Sequence, residues 1–397
     1  MSKPLKESSS PIIIGSNLTG LCVSLALSKL NLKSILVDRK DLSLKPPYDG
    51  RAIALSYGSM QILEELGAWG ALLPYAGKIE QIRVTDEYSP LFLHFNNEST
   101  LGCIIESDHL LEILYQKALD DPNITILDKT SYELLENNQD EVIIKLNGET
   151  QRTELLIAAD GKFSNLRKLC AIKELRHNYK QKAIICKVAH QKPHNQIAQE
   201  IFLPHGPFAI LPLKNPNESG IVWTEKPEIA DLLLSMDIEK FSYFLQEKFT
   251  DYLGDISIIR NEDSSINHIA SYNLELILAE KYYHNQIVLI GDAAHSIHPI
   301  SGQGFNLALR DIAEFARIST KYKNLGLSFG CYQSLEEYQN LRMKDNLSMA
   351  AITDSLNKLF SNDFAPIGLI RRLGISAVNQ IPSLKKFFME YAMAKRT

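Results

Sequence analysis

Three short segments of the chain hold residue types that suit a bound dinucleotide. The first is Gly15-Ser16-Asn17-Leu18-Thr19-Gly20. A pyrophosphate is held best by unblocked backbone N–H groups at a helix N-terminus, where the peptide dipoles favour negative charge. Glycines permit the tight turn and the close approach. Gly15, Ser16, Asn17, Thr19 and Gly20 are therefore candidate cofactor contacts. Asn17 replaces the middle glycine of the usual GxGxxG spacing, and Asn tolerates positive φ better than most other side chains. Asp38 follows Gly20 by eighteen residues, at a strand end where a carboxylate accepts hydrogen bonds from ribose hydroxyls. Arg39 stands beside it. Read alone, the segment also suits a plain glycine turn between strand and helix.

The second segment, Ala158-Ala159-Asp160-Gly161-Lys162-Phe163-Ser164, is an apolar strand that ends in Asp-Gly before a helix start. By itself it reads as readily as an ordinary turn. The third runs from 287 to 306 and contains Gly291-Asp292-Ala293-Ala294-His295 and Pro299-Ile300-Ser301-Gly302-Gln303-Gly304-Phe305-Asn306. A generic loop has no need of so many small and φ-permissive residues. Asp292 suits a ribitol hydroxyl. The N–H groups from Gly302 to Asn306 suit the pyrimidine edge of a flavin, where they would stabilise charge on the reduced ring. His295 and His298 lie in the same loop and are candidate bases, although a local hydrogen bond is the commoner duty of such histidines.

These segments need elements to position them. The β-branched run at 12–14, a helix over 18–30 and a strand at 34–38 make one βαβ unit, the start of a doubly wound sheet. A helix is expected over 52–66 and another over 108–119. Strands are expected at 79–85, 91–95, 124–128, 132–136, 141–147 and 153–159, with the Asn147-Gly148 turn between the last two. The alternating, proline-containing stretch 176–225 reads as antiparallel sheet. A buried strand at 287–290 and a helix over 305–318 follow, and the chain is mostly helical from 332 onward. The expected class is α/β, with a nucleotide domain (1–75, 100–175 and 272–335) interleaved with a smaller antiparallel-sheet substrate domain (76–99 and 176–271). A helical C-terminal region covers 336–397.

Composition narrows the function. The chain has 397 residues and a formal net charge of −5, so it lacks the basic excess of a nucleic-acid binder. Its five cysteines are scattered without a CxxC pair, which favours neither a metal site nor a disulfide framework and fits a reducing cytosol. No window of eighteen uninterrupted apolar residues exists, so no membrane crossing is expected. Near the end, Leu384, Phe387, Phe388, Tyr391 and Met393 lie among Lys385, Lys386, Lys395 and Arg396. That pattern suits either an interfacial helix or a helix packed on the domain surface.

The three motifs in this order resemble the flavin aromatic hydroxylases of the para-hydroxybenzoate hydroxylase class. The Asp49-Gly50-Arg51-Ala52-Ile53-Ala54-Leu55 segment, Asn306-Leu307-Ala308-Leu309-Arg310-Asp311 and the Arg342-Met343-Lys344-Asp345-Asn346 tail resemble the ubiquinone-biosynthesis hydroxylases within that class. So do Thr353-Asp354 and Leu359-Phe360-Ser361-Asn362-Asp363, and the likeness covers nearly the whole chain. It implies a Rossmann-type domain holding FAD, NAD(P)H as a transient co-substrate, O₂, and a polyprenylated phenol as substrate. It implies that Arg51, Asp160 and Gly161 lie near the pyrophosphate and Gly291-Asp292 near the ribitol. Pro299 and Gly302-Gln303-Gly304-Phe305-Asn306 would border the ring system. The family pattern is broken at Asn17 and at Asp108, where many relatives carry a basic or amide residue. Asp108 reads here as part of a helix N-cap. The cysteine usage leads to an expected cytoplasmic setting, with peripheral contact on the inner membrane face and membership of a biosynthetic complex as open options. A hydroxylase of small soluble phenols, a flavin reductase or oxidase of isoprenoids, and a non-catalytic scaffold subunit are the competing readings.

Overall fold

The computed structural model describes residues 6–7, 10–42, 49–86, 92–96, 100–249, 252–259 and 269–360. Its first sheet is built from short runs that are buried on both faces, as parallel strands under helices must be. Ile12–Ile14 lies between Ser34–Val37 and Leu156–Ala158, and every residue of Ile12–Ile14 and Leu156–Ala158 is buried. Ile287–Leu289 and Ile124–Leu127 extend this sheet in parallel, and Tyr283–His284 closes one edge antiparallel. The Leu18–Lys29 helix buries ten of its twelve residues, so small side chains are needed on the faces away from the sheet. Ser24, Ala26 and Ser28 supply them, and the helix packs between the helices Ser107–Leu119 and Gln303–Asn324.

A second sheet is larger and mostly antiparallel. Its order is His295–Ser296, Ala270–Ala279, Glu174–His190, Glu218–Glu225, Gly206–Pro212, Ile197–Leu203, Gln81–Asp86 and Phe92–Asn96. Ile256–Ile258 pairs separately with Glu174–His190. Alternation divides the two faces. One face carries Ile184, Phe208, Ile221 and Trp223, packed with Ala230, Leu233, Phe241 and Leu245 of two helices, Pro227–Leu234 and Ile238–Gln246. The other face turns toward a three-stranded sheet of Ala52–Ser56, Gly102–Glu106 and Gly77–Ile79. The approach is closest at Gly220, where an added Cβ would fall 2.5 Å from Ala52 Cβ.

The expected α/β class is the one observed, two local expectations are corrected, and two helices are new. Ala52–Ser56 is a strand, and the helix begins only at Tyr57, capped by Ser56 Oγ accepting from the Ser59 N–H. Its alternating burial is the reason: the apolar residues there face two different layers. The Asn147-Gly148 turn joins Val142–Leu146 to Glu149–Thr153, a polar strand that hydrophobic patterning does not reveal, and Leu156–Ala158 belongs to the other sheet. The helices Pro227–Leu234 and Ile238–Gln246 had no counterpart in the sequence reading. The Tyr332–Phe360 helix is present, and its Tyr338 hydroxyl donates to Leu289 O at 3.1 Å. The basic and aromatic pattern at 384–396 lies outside the described residues.

Candidate active site

Ile14, Ala158 and Leu289 stand in register across three adjacent parallel strands, with Val37 beside Ile14. Their carboxyl ends therefore deliver Gly15, Asp160, Gly291 and Asp38 to one edge of the sheet, the usual ligand edge of such folds. Gly15 has φ +104°, and an added Cβ would lie 2.5 Å from Ala159 O, so only glycine fits. A Cβ on Gly20 would meet Gly15 O, which explains the second glycine of the segment. Asn17 does not take up positive φ as its glycine-replacing position suggested. It sits at φ −80° as the helix N-cap, and its Oδ1 accepts from the Leu18 N–H at 2.7 Å. The turn needs no glycine there, because its left-handed residue is Gly15.

Asp38 Oδ2 accepts from the Ser16 N–H and hydroxyl at 2.8 and 2.7 Å, which joins the turn to the second strand. Arg39 is exposed beside it. Thr19 touches Gly291, where an added Cβ would meet the Thr19 side chain at 3.0 Å. Asp160 Oδ2 accepts from the Asn165 and Leu166 N–H groups at 2.7 and 3.2 Å, the first two of the Asn165–Leu169 helix, whose N-cap is Ser164. Gly161 next to it has φ +80°. Arg167 ties this segment to the third one. It is fully buried, donates to Ala293 O at 2.7 Å and Lys162 O at 2.9 Å, and pairs with Glu174 at 2.6 Å.

The loop before the Gln303–Asn324 helix turns at Gly302, whose N–H donates to Pro299 O at 2.8 Å. Gly302 has φ +60°, and an added Cβ would lie 3.0 Å from Ala54 Cβ. No side chain caps this helix, so its first turn presents backbone N–H groups. Asn306 fastens the loop to the Ala52–Ser56 strand: its Oδ1 accepts from the Ser56 N–H at 3.0 Å and its Nδ2 donates to Ala54 O at 2.9 Å. Gln303 is buried and Phe305 half-buried behind the turn. An added Cβ on Gly304 would meet nothing within 4 Å, so the loop borders open space at that residue.

Beneath the loop lies a charged network that the sequence marked only as a family likeness. Asp311 is fully buried. Its Oδ2 meets His295 Nε2 at 2.6 Å and accepts from the Gly291 N–H at 3.1 Å. Its Oδ1 accepts from Arg342 Nε at 2.7 Å and Asn346 Nδ2 at 3.2 Å. Burial alone would raise this carboxyl, but His295 and Arg342 hold it well below the usual range. His295 is thereby committed to Asp311. His298 is also enclosed: its Nε2 meets Gln181 Oε1 at 3.1 Å, and burial lowers its pKa to about 4. Neither histidine is placed as a free base for a substrate.

A second polar group faces the third segment. Arg51 donates from Nε to Asp49 Oδ2 at 2.8 Å, and Asp49 also accepts from the Ser107 hydroxyl. Burial works against the charge on Asp49, yet Arg51 holds its pKa down. Asp292 is open to the cleft but ringed by protein. That desolvation raises its pKa, and the charges of His295 and Arg51 offset part of the rise. Asp108 lies in the first turn of Ser107–Leu119, while Glu106 holds the cap position without a side-chain cap bond. Burial and the neighbouring Asp49 and Glu106 raise the Asp108 pKa.

The residues fit FAD. A glycine turn, a carboxylate at a strand end, a guanidinium, a second carboxylate and an uncapped helix start line one edge, and open space adjoins Gly304. Residues 9–319 match the FAD binding domain family. The chain is 37% identical over 388 residues to ubiquinone hydroxylase UbiL of Rhodospirillum rubrum, covering 96% of this chain and 89% of that one. It is 29% identical to ubiquinone hydroxylase UbiM of Neisseria meningitidis, over 94% of this chain and 82% of that one. Among solved structures, p-nitrophenol 4-monooxygenase PnpA of Pseudomonas putida shares the fold with a TM-score of 0.79 at 15% identity, over 99% of this chain and 100% of that one. With the motifs gathered at one sheet edge and the match running nearly end to end, the chain belongs to the ubiquinone-biosynthesis flavin hydroxylases, within the FAD-dependent monooxygenases of the para-hydroxybenzoate hydroxylase class.

Proposed function

We propose that this chain hydroxylates the ring of a polyprenylated phenol, an intermediate of ubiquinone biosynthesis, using NAD(P)H and O₂. The observation that carries the reading is the apolar face of the large sheet set opposite the Pro299–Gly302 turn, with Phe202 and Val84 packed around Ile300. FAD, when bound, supplies hydride acceptance and oxygen activation. The chain's own residues bind, orient and exclude water.

In this reading Gly15, Ser16, Asn17, Thr19 and Gly20 cradle the pyrophosphate with Arg51, Asp160 and Gly161. Asp38 meets the adenosine ribose once Ser16 shares it, with Arg39 beside it. Asp292 and Gly291 meet the ribitol, and Pro299 and Gly302 to Asn306 border the ring system. The interleaved division into 1–75, 100–175 and 272–335 for the cofactor and 76–99 and 176–271 for the substrate belongs to the same proposal. So does a tail from 336 that meets lipid or a biosynthetic complex. Among the described residues, no helix is long and apolar enough to cross a membrane.

The test is a flavin spectrum of the purified protein, followed by NAD(P)H oxidation with a prenylated phenol under ¹⁸O₂. Labelled hydroxylated ring is expected. Flavin-bound protein that oxidises NAD(P)H without labelling any phenol would sink the hydroxylase reading.

A further inference from the structure

We propose that Glu200 binds the ring hydroxyl of the phenol and takes its proton, which makes it the catalytic base of the hydroxylation. The inference rests on the hydroxylase reading and adds a residue to it.

Glu200 lies on the Ile197–Leu203 strand, and register shows which way it points. Ala198, two residues before, packs in one cluster with Ala52 and Ala54. Phe202, two residues after, packs with Ile300. Alternate residues share a face, so Glu200 lies on the sheet face that carries Ala198 toward the Ala52–Ser56 strand and Phe202 toward the Pro299–Gly302 turn. Gly302 of that turn sits against Ala54 of that strand. Its partners across the strands are Val84 and Ala209, both apolar. Among the described residues it makes no hydrogen bond or ion pair, yet it is partly exposed. A lone carboxylate in an apolar row is costly unless something else engages it.

The charged groups around it are otherwise occupied or distant in register. On the same sheet face, Asp86 stands opposite Phe202, one row away. Lys187, one row away on the other side, is paired with Glu106. The Ala52–Ser56 strand brings no titratable side chain. The loop brings His298, which its surroundings keep neutral, and the Tyr332–Phe360 helix brings Asp354, paired with Lys358. Desolvation alone therefore sets this carboxyl and raises its pKa to about 7. A base with that value is half-ionised at neutral pH and well matched to a phenol proton. The proton passes from the ring hydroxyl to a carboxylate oxygen, and the electron pair stays on the ring oxygen. That electron-rich ring is the form the hydroxylation needs, and product release lets solvent take the proton from the carboxyl.

The experiment compares wild type, Glu200→Gln and Glu200→Asp as FAD-loaded full chains across pH 5.5–9, with a prenylated phenol. Wild-type hydroxylation is expected to rise with pH through an apparent pKa near 7. Glu200→Gln is expected to lose turnover by about a hundredfold and lose the rise, with unchanged flavin content and a melting temperature no lower than that of wild type. Glu200→Asp is expected to restore part of the turnover and the pH limb. An unchanged profile in Glu200→Gln overturns the assignment, because wild-type hydroxylation in the same assay keeps the hydroxylase reading intact. If wild type itself hydroxylates no phenol, the hydroxylase reading fails, and binding of 4-hexylphenol, read from the flavin difference spectrum, then decides Glu200. Affinity that changes through pH 7 in wild type and not in Glu200→Gln supports a phenol contact there, and equal affinities in both proteins overturn it.

Discussion

Single residues in this site are defined by what holds them. Asp292 reaches the cleft from a turn fixed by Gly291; desolvation raises its pKa, and His295 and Arg51 offset part of the rise. Asp292→Ala is expected to purify with much less flavin, read as the ratio of flavin to protein absorbance, because the proposed ribitol contact would be lost while the turn remains. Equal flavin content would remove Asp292 from the cofactor site. His298 gives a pH signature of its own. Its pKa is about 4 in the fold against an ordinary value near 6.5, so it stays neutral while the unfolded chain takes up a proton first. The sign follows: stability is full above about pH 6.5 and falls as pH drops toward 4, by on the order of 3 kcal/mol. His298→Gln is expected to lack that part of the acid loss in urea titrations at pH 7 and pH 4.5. Parallel losses in both proteins would show that His298 is not the group responsible.

Elements are fastened to one another by buried charge. Asp311 on the Gln303–Asn324 helix joins His295 in the loop, Arg342 and Asn346 on the Tyr332–Phe360 helix, and the Gly291 N–H at the sheet edge. Removing one partner of such a network leaves the others uncompensated, at a cost of about 3–5 kcal/mol. Asp311→Asn is therefore expected to lower stability by that order at pH 7, with the flavin loop loosened and flavin retained poorly. Since the Asp311 pKa is depressed in the fold, its contribution is present above the ordinary carboxylate range and is lost as pH falls below about 4. The gap between wild type and Asp311→Asn should then narrow in acid, measured by urea unfolding at pH 7 and pH 3.5. A gap that stays constant would mean that the side chain contributes packing and not charge.

Across the whole molecule, two sheets of different character meet around one cleft. The parallel sheet offers its carboxyl edge, the antiparallel sheet offers an apolar face, and the Ala52–Ser56 strand and Gly302 turn lie between them. A cofactor seated there contacts the folded chain and not the unfolded one, so it adds stability as the logarithm of its free concentration, about 2.7 kcal/mol at a hundred times Kd. Added FAD is expected to raise the Tm of flavin-stripped protein progressively in thermal melts. A Tm indifferent to FAD would mean that the cleft does not hold the cofactor in the folded state.

The sequence by itself determined the dinucleotide chemistry and the α/β class. Gly15, Gly20, Asp38, Asp160, Gly291, Asp292 and Gly302 were legible as turn, strand-end and helix-start positions, while their contacts with the cofactor belong to the proposed reading. The family likeness of Arg342 and Asn346 was legible too, but not their duty, since a buried ion network depends on residues distant in sequence meeting Asp311. Ala52–Ser56 looked helical because its apolar spacing is ambiguous until two layers close on it. Asn17 looked like a glycine replacement tolerating positive φ, yet the tertiary turn placed the positive φ at Gly15 and left Asn17 free to cap. Glu200 gave no signal at all. One acidic residue in a strand is ordinary surface in sequence, and only the pairing of Ile197–Leu203 with Gln81–Asp86 and Gly206–Pro212, and the packing of Ala198 and Phe202, puts it on the face that meets the Ala52–Ser56 strand and the Pro299–Gly302 turn. Tertiary structure decided those points because long-range register and desolvation are properties of neighbours that are not adjacent in the chain.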